Sequence, residues 1–154
     1  MATDDTVTVR DRQWLQAAIE LSRRCVPSAT AFSVGAVIVD AGNDVIADGY
    51  SRDVDAHVHA EESALGRLAD GDPRLSTATI YSSLEPCSAR KSRPRSCVDL
   101  IAAAGIRRVV FALTEPPLFV TGRGAESLRR AGIAVVQLEE FGEAVKDING
   151  HLLR

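Results

Sequence analysis

The sequence predicts an α/β fold: a three-layer α-β-α sandwich whose central sheet is five-stranded and mostly parallel. Three observations lead there. Short runs of β-branched and apolar residues recur along the chain, and after an opening hairpin they alternate with segments of helical period. Such alternation implies right-handed βαβ crossovers, which place helices on both faces of a sheet. The length, 154 residues with 45% hydrophobic and 25% charged content, suits one domain with a continuous core, expected to occupy residues 1–154 as a single unit.

Each element has its own signal. Trp14, Leu15, Ala18, Ile19 and Leu21 follow a helical period from about Arg10 to Cys25, and Pro27 stops it. Phe32 to Val39 and Asp44 to Tyr50 read as strands joined by the Asp40-Ala41-Gly42-Asn43 turn, a hairpin. His59 to Leu68 is alanine-rich and helical, ended by Gly71-Asp72-Pro73. Thr77 to Leu84 has strand composition, and Val98 to Ala104 is helical up to Gly105. Arg108 to Leu113 is a strand, Gly124 to Ala131 a short helix ended by Gly132, and Ile133 to Leu138 the last strand. A helix through Val145, Ile148 and Leu152 closes the chain.

Composition removes several function classes. Lys and Arg total 18 against 21 Asp and Glu, a formal net charge of −3, so no chain-wide basic field exists for nucleic acid. No apolar run approaches the roughly 20 residues that span a bilayer, so no membrane role is expected. Met1 to Asp5 is polar and acidic, unlike a secretory leader, and a cytoplasmic location is expected. Three cysteines, an odd count, argue against a disulfide scaffold and for metal binding or catalysis.

The chemistry concentrates in two segments. His59-Ala60-Glu61 opens a helix, and Pro86-Cys87 follows a strand, with Cys97 ten positions on. One histidine and two cysteines suit tetrahedral zinc. Three protein ligands leave the fourth position for water, the arrangement of catalytic rather than structural zinc. A closed site with His57 or Cys25 as fourth ligand is the competing reading, and Glu61 speaks against it because a structural site needs no proton carrier. The order His-x-Glu, Pro-Cys, Cys matches the zinc nucleobase-deaminase pattern.

On these residues the chain resembles the cytidine deaminase-like superfamily. It is most similar to the pyrimidine deaminase domain of bacterial riboflavin-biosynthesis enzymes. The likeness rests on Val34 to Val39, His59 to Glu61, Ser83 to Ser88, Cys97 to Ala112, Val120 to Val135 and the tail Ile148 to Arg154. It implies a cytidine deaminase-like fold, with zinc held by His59, Cys87 and Cys97 and Glu61 as the proton carrier. Activated water would then attack the ring carbon bearing an amino group, and ammonia would leave. Backbone groups of Ala60 and Pro86 are expected to face the substrate, with Phe32 packing on its ring, and a homodimer or larger homo-oligomer is implied.

Three departures from that relative bear on the substrate. Ala31-Phe32-Ser33 precedes Val34-Gly35, where the relative has Asn-Pro. Nine residues separate Cys87 from Cys97, apparently one more than usual, and Ala89 stands where the relative has His. No reductase segment is expected behind Arg154. These changes favour hydrolytic removal of an exocyclic amine from a pyrimidine-like or triazine-like heterocycle, a free nucleobase or analogue being expected. The alternative is the riboflavin-pathway diaminohydroxyphosphoribosylaminopyrimidine deaminase without its reductase. Arg90, Lys91, Arg93 and Arg95 read either as an anion clamp or as a solvated loop. Arg52, Leu118 and Phe119 are further candidates for the pocket wall, and Glu85 reads as scaffold.

Overall fold

A computed structural model of the protein describes residues 6–90, 93–118 and 123–153. Helix α1 (Val9–Ser22) begins at Thr8, whose backbone N–H donates to the Asp11 carboxylate while its hydroxyl accepts from the Asp11 N–H. This reciprocal cap satisfies donors that the first helical turn leaves unpaired. The helix ends three residues earlier than its periodicity suggests. The hairpin follows, β1 (Gly35–Val39) and β2 (Val45–Tyr50), turned at Asn43 in the left-handed region with φ 68°. Trp14, expected in the core, is half-buried and donates its indole N–H to Asn43 Oδ1 at 2.7 Å.

Helix α2 (Ala60–Gly66), β3 (Thr79–Leu84), α3 (Cys97–Ala104), β4 (Arg108–Leu113), α4 (Gly124–Arg130) and β5 (Ala134–Gln137) supply the alternating units. Pro73–Thr77 forms a 3-10 turn instead of extending the strand, because Pro73 starts a helical turn capped by Asp72. The closing helix divides at Asn149 into α5 (Gly142–Ile148) and α6 (Gly150–Leu153).

The sheet order is β2-β1-β3-β4-β5. β1 pairs antiparallel with both β2 and β3, while β3-β4 and β4-β5 are parallel, so four of the five strands point one way. Mostly parallel therefore holds for strand direction, and the sheet is mixed because β1 runs against it. Helices α1 and α5 pack on one face, and α2, α3 and α4 on the other. Covered on both sides, β1 is buried at every position and β3 at all but its first.

The reversed strand decides where chemistry can occur. The start of β1 lies at the same edge as the ends of β2, β3 and β4. Phe32, the loop into His59, the Pro86-Cys87 turn and Glu115 all leave the sheet at that edge, the usual ligand position in open α/β sheets. At the opposite edge, Asp11 is buried and takes two bonds from Arg108, at 2.7 and 2.8 Å, and one from the Tyr81 hydroxyl at 2.7 Å. These bonds tie α1 to β3 and β4. They also hold the Asp11 carboxyl below its usual range, although burial alone would raise it.

Candidate functional site

The loop after β2 delivers His59 to the N-terminus of α2, and the turn after β3 delivers Cys87. Ser96 caps α3 by accepting from the Asp99 N–H, which leaves Cys97 in the first helical position. The two cysteine segments interlock: the Cys97 N–H donates to Cys87 Sγ at 3.2 Å, and the Val98 N–H to the Cys87 carbonyl at 3.1 Å. The Ser-x-x-Asp box at Ser96 was a readable signal for this helix start.

His59 Nδ1 lies 3.5 Å from Cys87 Sγ and 3.3 Å from Cys97 Sγ, and all three ligand atoms fall within 4.8 Å of one another. Tetrahedral zinc with its usual bond lengths sets N and S ligands about 3.6 Å apart. The donor set and its spacing therefore fit zinc. Neither alternative fourth ligand joins the cluster, since His57 is exposed and Cys25 is buried with its thiol against the Val34 carbonyl at 3.5 Å. The sulfur atoms are already polarised: a hydrogen bond from Cys97 first, then those from His59 and the Cys97 backbone, push the Cys87 thiol down to about 4. Cys97 shifts the other way, as the donor to Cys87 and as a deeply buried group. His59 is pushed up, its bond to Cys87 and the nearby negative charge outweighing the opposing effect of burial.

Glu61, one residue into α2, is buried, and its Oε1 sits 2.6 Å from the hydroxyl of Ser82. His59, Cys87 and Glu61 open onto a cavity of about 530 Å³, walled by Phe32, Arg52, Ala60, Glu115 and Leu118 among others, with Cys97 buried behind it. That volume suits a small organic ligand. Phe32 and Ala60 both line this cavity. Pro86 does not line the cavity; it sits behind Cys87 with its carbonyl oxygen against Gly124. Phe119 lies outside the described residues.

Arg52 lines the cavity, but its guanidinium works on the loop beside it. It donates to the Val26 carbonyl at 2.8 Å, the Phe32 carbonyl at 3.1 Å and Ser33 Oγ at 3.0 Å. Its backbone sits in the left-handed region with φ 64°. From the tail, buried Asn149 accepts from the Ser33 N–H at 2.7 Å and donates to the Ser33 carbonyl at 3.2 Å. Phe32 is thus gripped from two sides, by contacts between residues far apart in the chain that periodicity cannot show.

In the basic segment between the cysteines, Arg90 and Arg93 are held by acidic partners, whereas Arg95 is exposed. Arg90, its side chain only 3% exposed, pairs with Glu62 at 3.2 Å and donates to the His57 carbonyl at 2.9 Å. Arg93 pairs with Asp55 at 2.6 Å, and Arg95 donates to the Asp99 carbonyl at 3.4 Å. Glu62 also accepts from the His59 N–H at 3.3 Å, so the Arg90 pair braces the two halves of the triad against each other. Lys91 lies outside the described residues. Glu85 bridges in the same way, accepting from the Glu115 and Ala125 N–H groups at 3.1 and 2.9 Å.

Glu115 was not singled out from the sequence. Its Oε2 is buried without a partner among the described residues, and it faces the cavity wall. Burial first, then repulsion from Cys87 and Glu61, pushes its carboxyl up to about 7.

A family model described as the cytidine and deoxycytidylate deaminase zinc-binding region matches residues 8–113. The diaminohydroxyphosphoribosylamino-pyrimidine deaminase of Schizosaccharomyces pombe is 39% identical over 131 residues, covering 84% of this chain and 32% of that protein. The riboflavin biosynthesis protein RibD of Escherichia coli is 35% identical over 147 residues, covering 95% of this chain and 38% of that protein. The chain thus spans about a third of the length of the curated relatives it matches. Among solved structures, the bifunctional deaminase/reductase of Thermotoga maritima superposes with TM-score 0.80 at 29% identity, over 94% of this chain and 40% of that one. The Rib2 deaminase of Aspergillus oryzae shares the fold, with TM-score 0.77 at 22% identity, over 90% of this chain and 89% of that one.

Proposed function

We propose, from the premise that this chain belongs to the cytidine and deoxycytidylate deaminase zinc-binding family, that it deaminates a phosphoribosylated aminopyrimidine. Membership makes it a zinc-type deaminase, an enzyme with a small-molecule substrate; the identity of that substrate is our inference. One observation carries it. Relatives that match most of this chain at 34–39% identity are named for diaminohydroxyphosphoribosylaminopyrimidine deamination or riboflavin biosynthesis. The free-nucleobase reading of the sequence finds no such support, and the alternative stated beside it is the one these relatives back.

The site's residues suit hydrolytic deamination. Water adds to the ring carbon that bears the exocyclic amine, the C–N bond breaks, and ammonia leaves with no net redox change. His59, Cys87 and Cys97 would hold zinc, which would supply Lewis acidity to make water nucleophilic near neutral pH. Glu61 is placed to take the water proton and return it to the departing amine, work that general acid–base groups typically accelerate by about 10²–10⁴-fold. Phe32 offers an apolar wall for the ring, and Ala60 closes the cavity beside the triad. Homo-oligomerisation and a cytoplasmic location belong to the same proposal, and sedimentation and cell fractionation test them.

The decisive experiment follows ammonia release by the zinc-loaded protein from the phosphoribosyl aminopyrimidine, cytosine, cytidine and deoxycytidine monophosphate, with Glu61→Ala as control. Glu61-dependent release is expected from the phosphoribosyl compound, with kcat/KM at least 100-fold above the others. A free base turned over in preference would overturn this substrate and restore the free-base reading.

A further inference from the structure

Ser82 lies on β3 and is fully buried. Its hydroxyl oxygen stands 2.6 Å from Glu61 Oε1 and 2.7 Å from the carbonyl oxygen of Leu84. A hydroxyl carries one hydrogen, and a backbone carbonyl has none to offer. Ser82 therefore donates to one of these neighbours at a time, and both short contacts become hydrogen bonds together only when Oε1 itself brings a hydrogen. The next residue, Ser83, turns its hydroxyl elsewhere and accepts from the Gly35 N–H at 3.1 Å, so the contact to Glu61 is specific to position 82.

A glutamate side chain has three rotatable bonds, and a contact that fixes one pose removes the spread of rotamers it would otherwise sample. Glu61 begins one residue into α2, on the cavity wall, and the sheet lies across from it. We propose that Ser82 is a positioning residue for Glu61. Its hydroxyl anchors Oε1 to the sheet, sets the rotation of the carboxyl group and leaves Oε2 to meet the reacting atoms in the cavity. Ser82 itself stands on β3, the strand that delivers Cys87. Carboxyl and metal ligands are thereby indexed to one rigid element, which pre-organises a site better than loops do.

The inference rests on the reading of Glu61 as proton carrier, and the test separates the two. Ser82→Thr and Ser82→Val have nearly the same shape and differ in hydroxyl against methyl. Both are prepared beside Ser82→Ala and Glu61→Gln, with zinc content, thermal midpoint, kcat and KM measured for each. The expected result is that Thr keeps kcat within about 3-fold of the parent. Val and Ala lose at least 10-fold in kcat, with KM and zinc content unchanged. A merely structural serine would lose stability or zinc in the Val protein without a Thr-rescued drop in kcat. Equal turnover by the Thr and Val proteins overturns the proposal, and if neither folds, an Ala protein within 2-fold of the parent overturns it alone. An active Glu61→Gln protein sinks the underlying reading, whereas an inactive one with indifferent Ser82 variants sinks only this inference.

Discussion

Gly124→Ala adds one methyl group at the start of α4, outside the cavity, and its consequence is worked from neighbouring atoms. The new carbon would stand on the carbonyl oxygen of Pro86, 3.0 Å from its carbonyl carbon and 3.1 Å from Glu85 Cγ. Two effects oppose each other. Alanine is better than glycine in a helix by up to about 1 kcal/mol, less at a first position. Overpacking against backbone costs about 1–3 kcal/mol, and the obstructing atom belongs to a proline in a buried turn that cannot rotate away. The steric effect wins, and relief requires a shift on the order of 1 Å in the Pro86-Cys87 turn or in α4. Metal–ligand distances tolerate about 0.2 Å, so the Cys87 sulfur leaves its working position. Zinc release into a chromogenic chelator is expected to accelerate at least 10-fold and kcat to fall by about 100-fold. A variant that keeps its zinc and turns over within 2-fold of the parent would refute this coupling of α4 to the metal turn.

Five further outcomes are expected. Asn149→Ala strips two partners from the Ser33 backbone, which costs about 1–3 kcal/mol and loosens Phe32; the thermal midpoint falls and KM rises more than kcat drops. Because the Asp11 carboxyl is held below its ordinary value, its contribution is present above the unfolded pKa and is lost as pH falls through the folded one. Urea titrations from pH 6 to 2 should therefore show Asp11→Asn less stable at pH 6 and less sensitive to acid. Arg108→Ala leaves that carboxylate buried without its guanidinium, held by the Tyr81 hydroxyl and the Thr8 N–H, and should cost about 3 kcal/mol at neutral pH. Glu115 shifts the other way, so the metal-free fold favours its neutral form and loses stability as pH climbs from the ordinary carboxylate range to about 7. Glu115→Gln should flatten that slope in chelator-treated protein; an unchanged slope would count against its burial. Zinc at 100 times its Kd should raise unfolding free energy by about 2.7 kcal/mol, and His59→Ala should abolish the gain.

How much of this was written in the chain varies with the range of the interaction. Strand and helix identities follow local periodicity, and each expected element exists. Their ends moved where a cap intervened, as at Thr8 and Asp72, because a side-chain hydrogen bond fixes a boundary that apolar spacing only approximates. His59, Cys87 and Cys97 were legible because their residue types are scarce and the order is characteristic. Glu115, Asn149 and Ser82 were not, since an ordinary acid, amide or hydroxyl gains meaning from a partner across the fold. The Arg90 cluster misled for a related reason. Its counterions, Glu62 and Asp55, lie some thirty positions away, and charge density along a chain does not reveal who neutralises it.

The separation of the three metal-binding side chains has a temporal consequence. Cys87 and Cys97 are 10 positions apart, but His59 stands 28 and 38 positions from them. A hairpin such as β1-β2 can form within microseconds, whereas bringing His59 to the cysteines requires β3 to find β1 and the following segment to dock. The full triad therefore comes together late in folding. In a refolding experiment with a zinc-sensitive dye, metal capture should lag behind the far-ultraviolet dichroism signal and mark arrival at the native state.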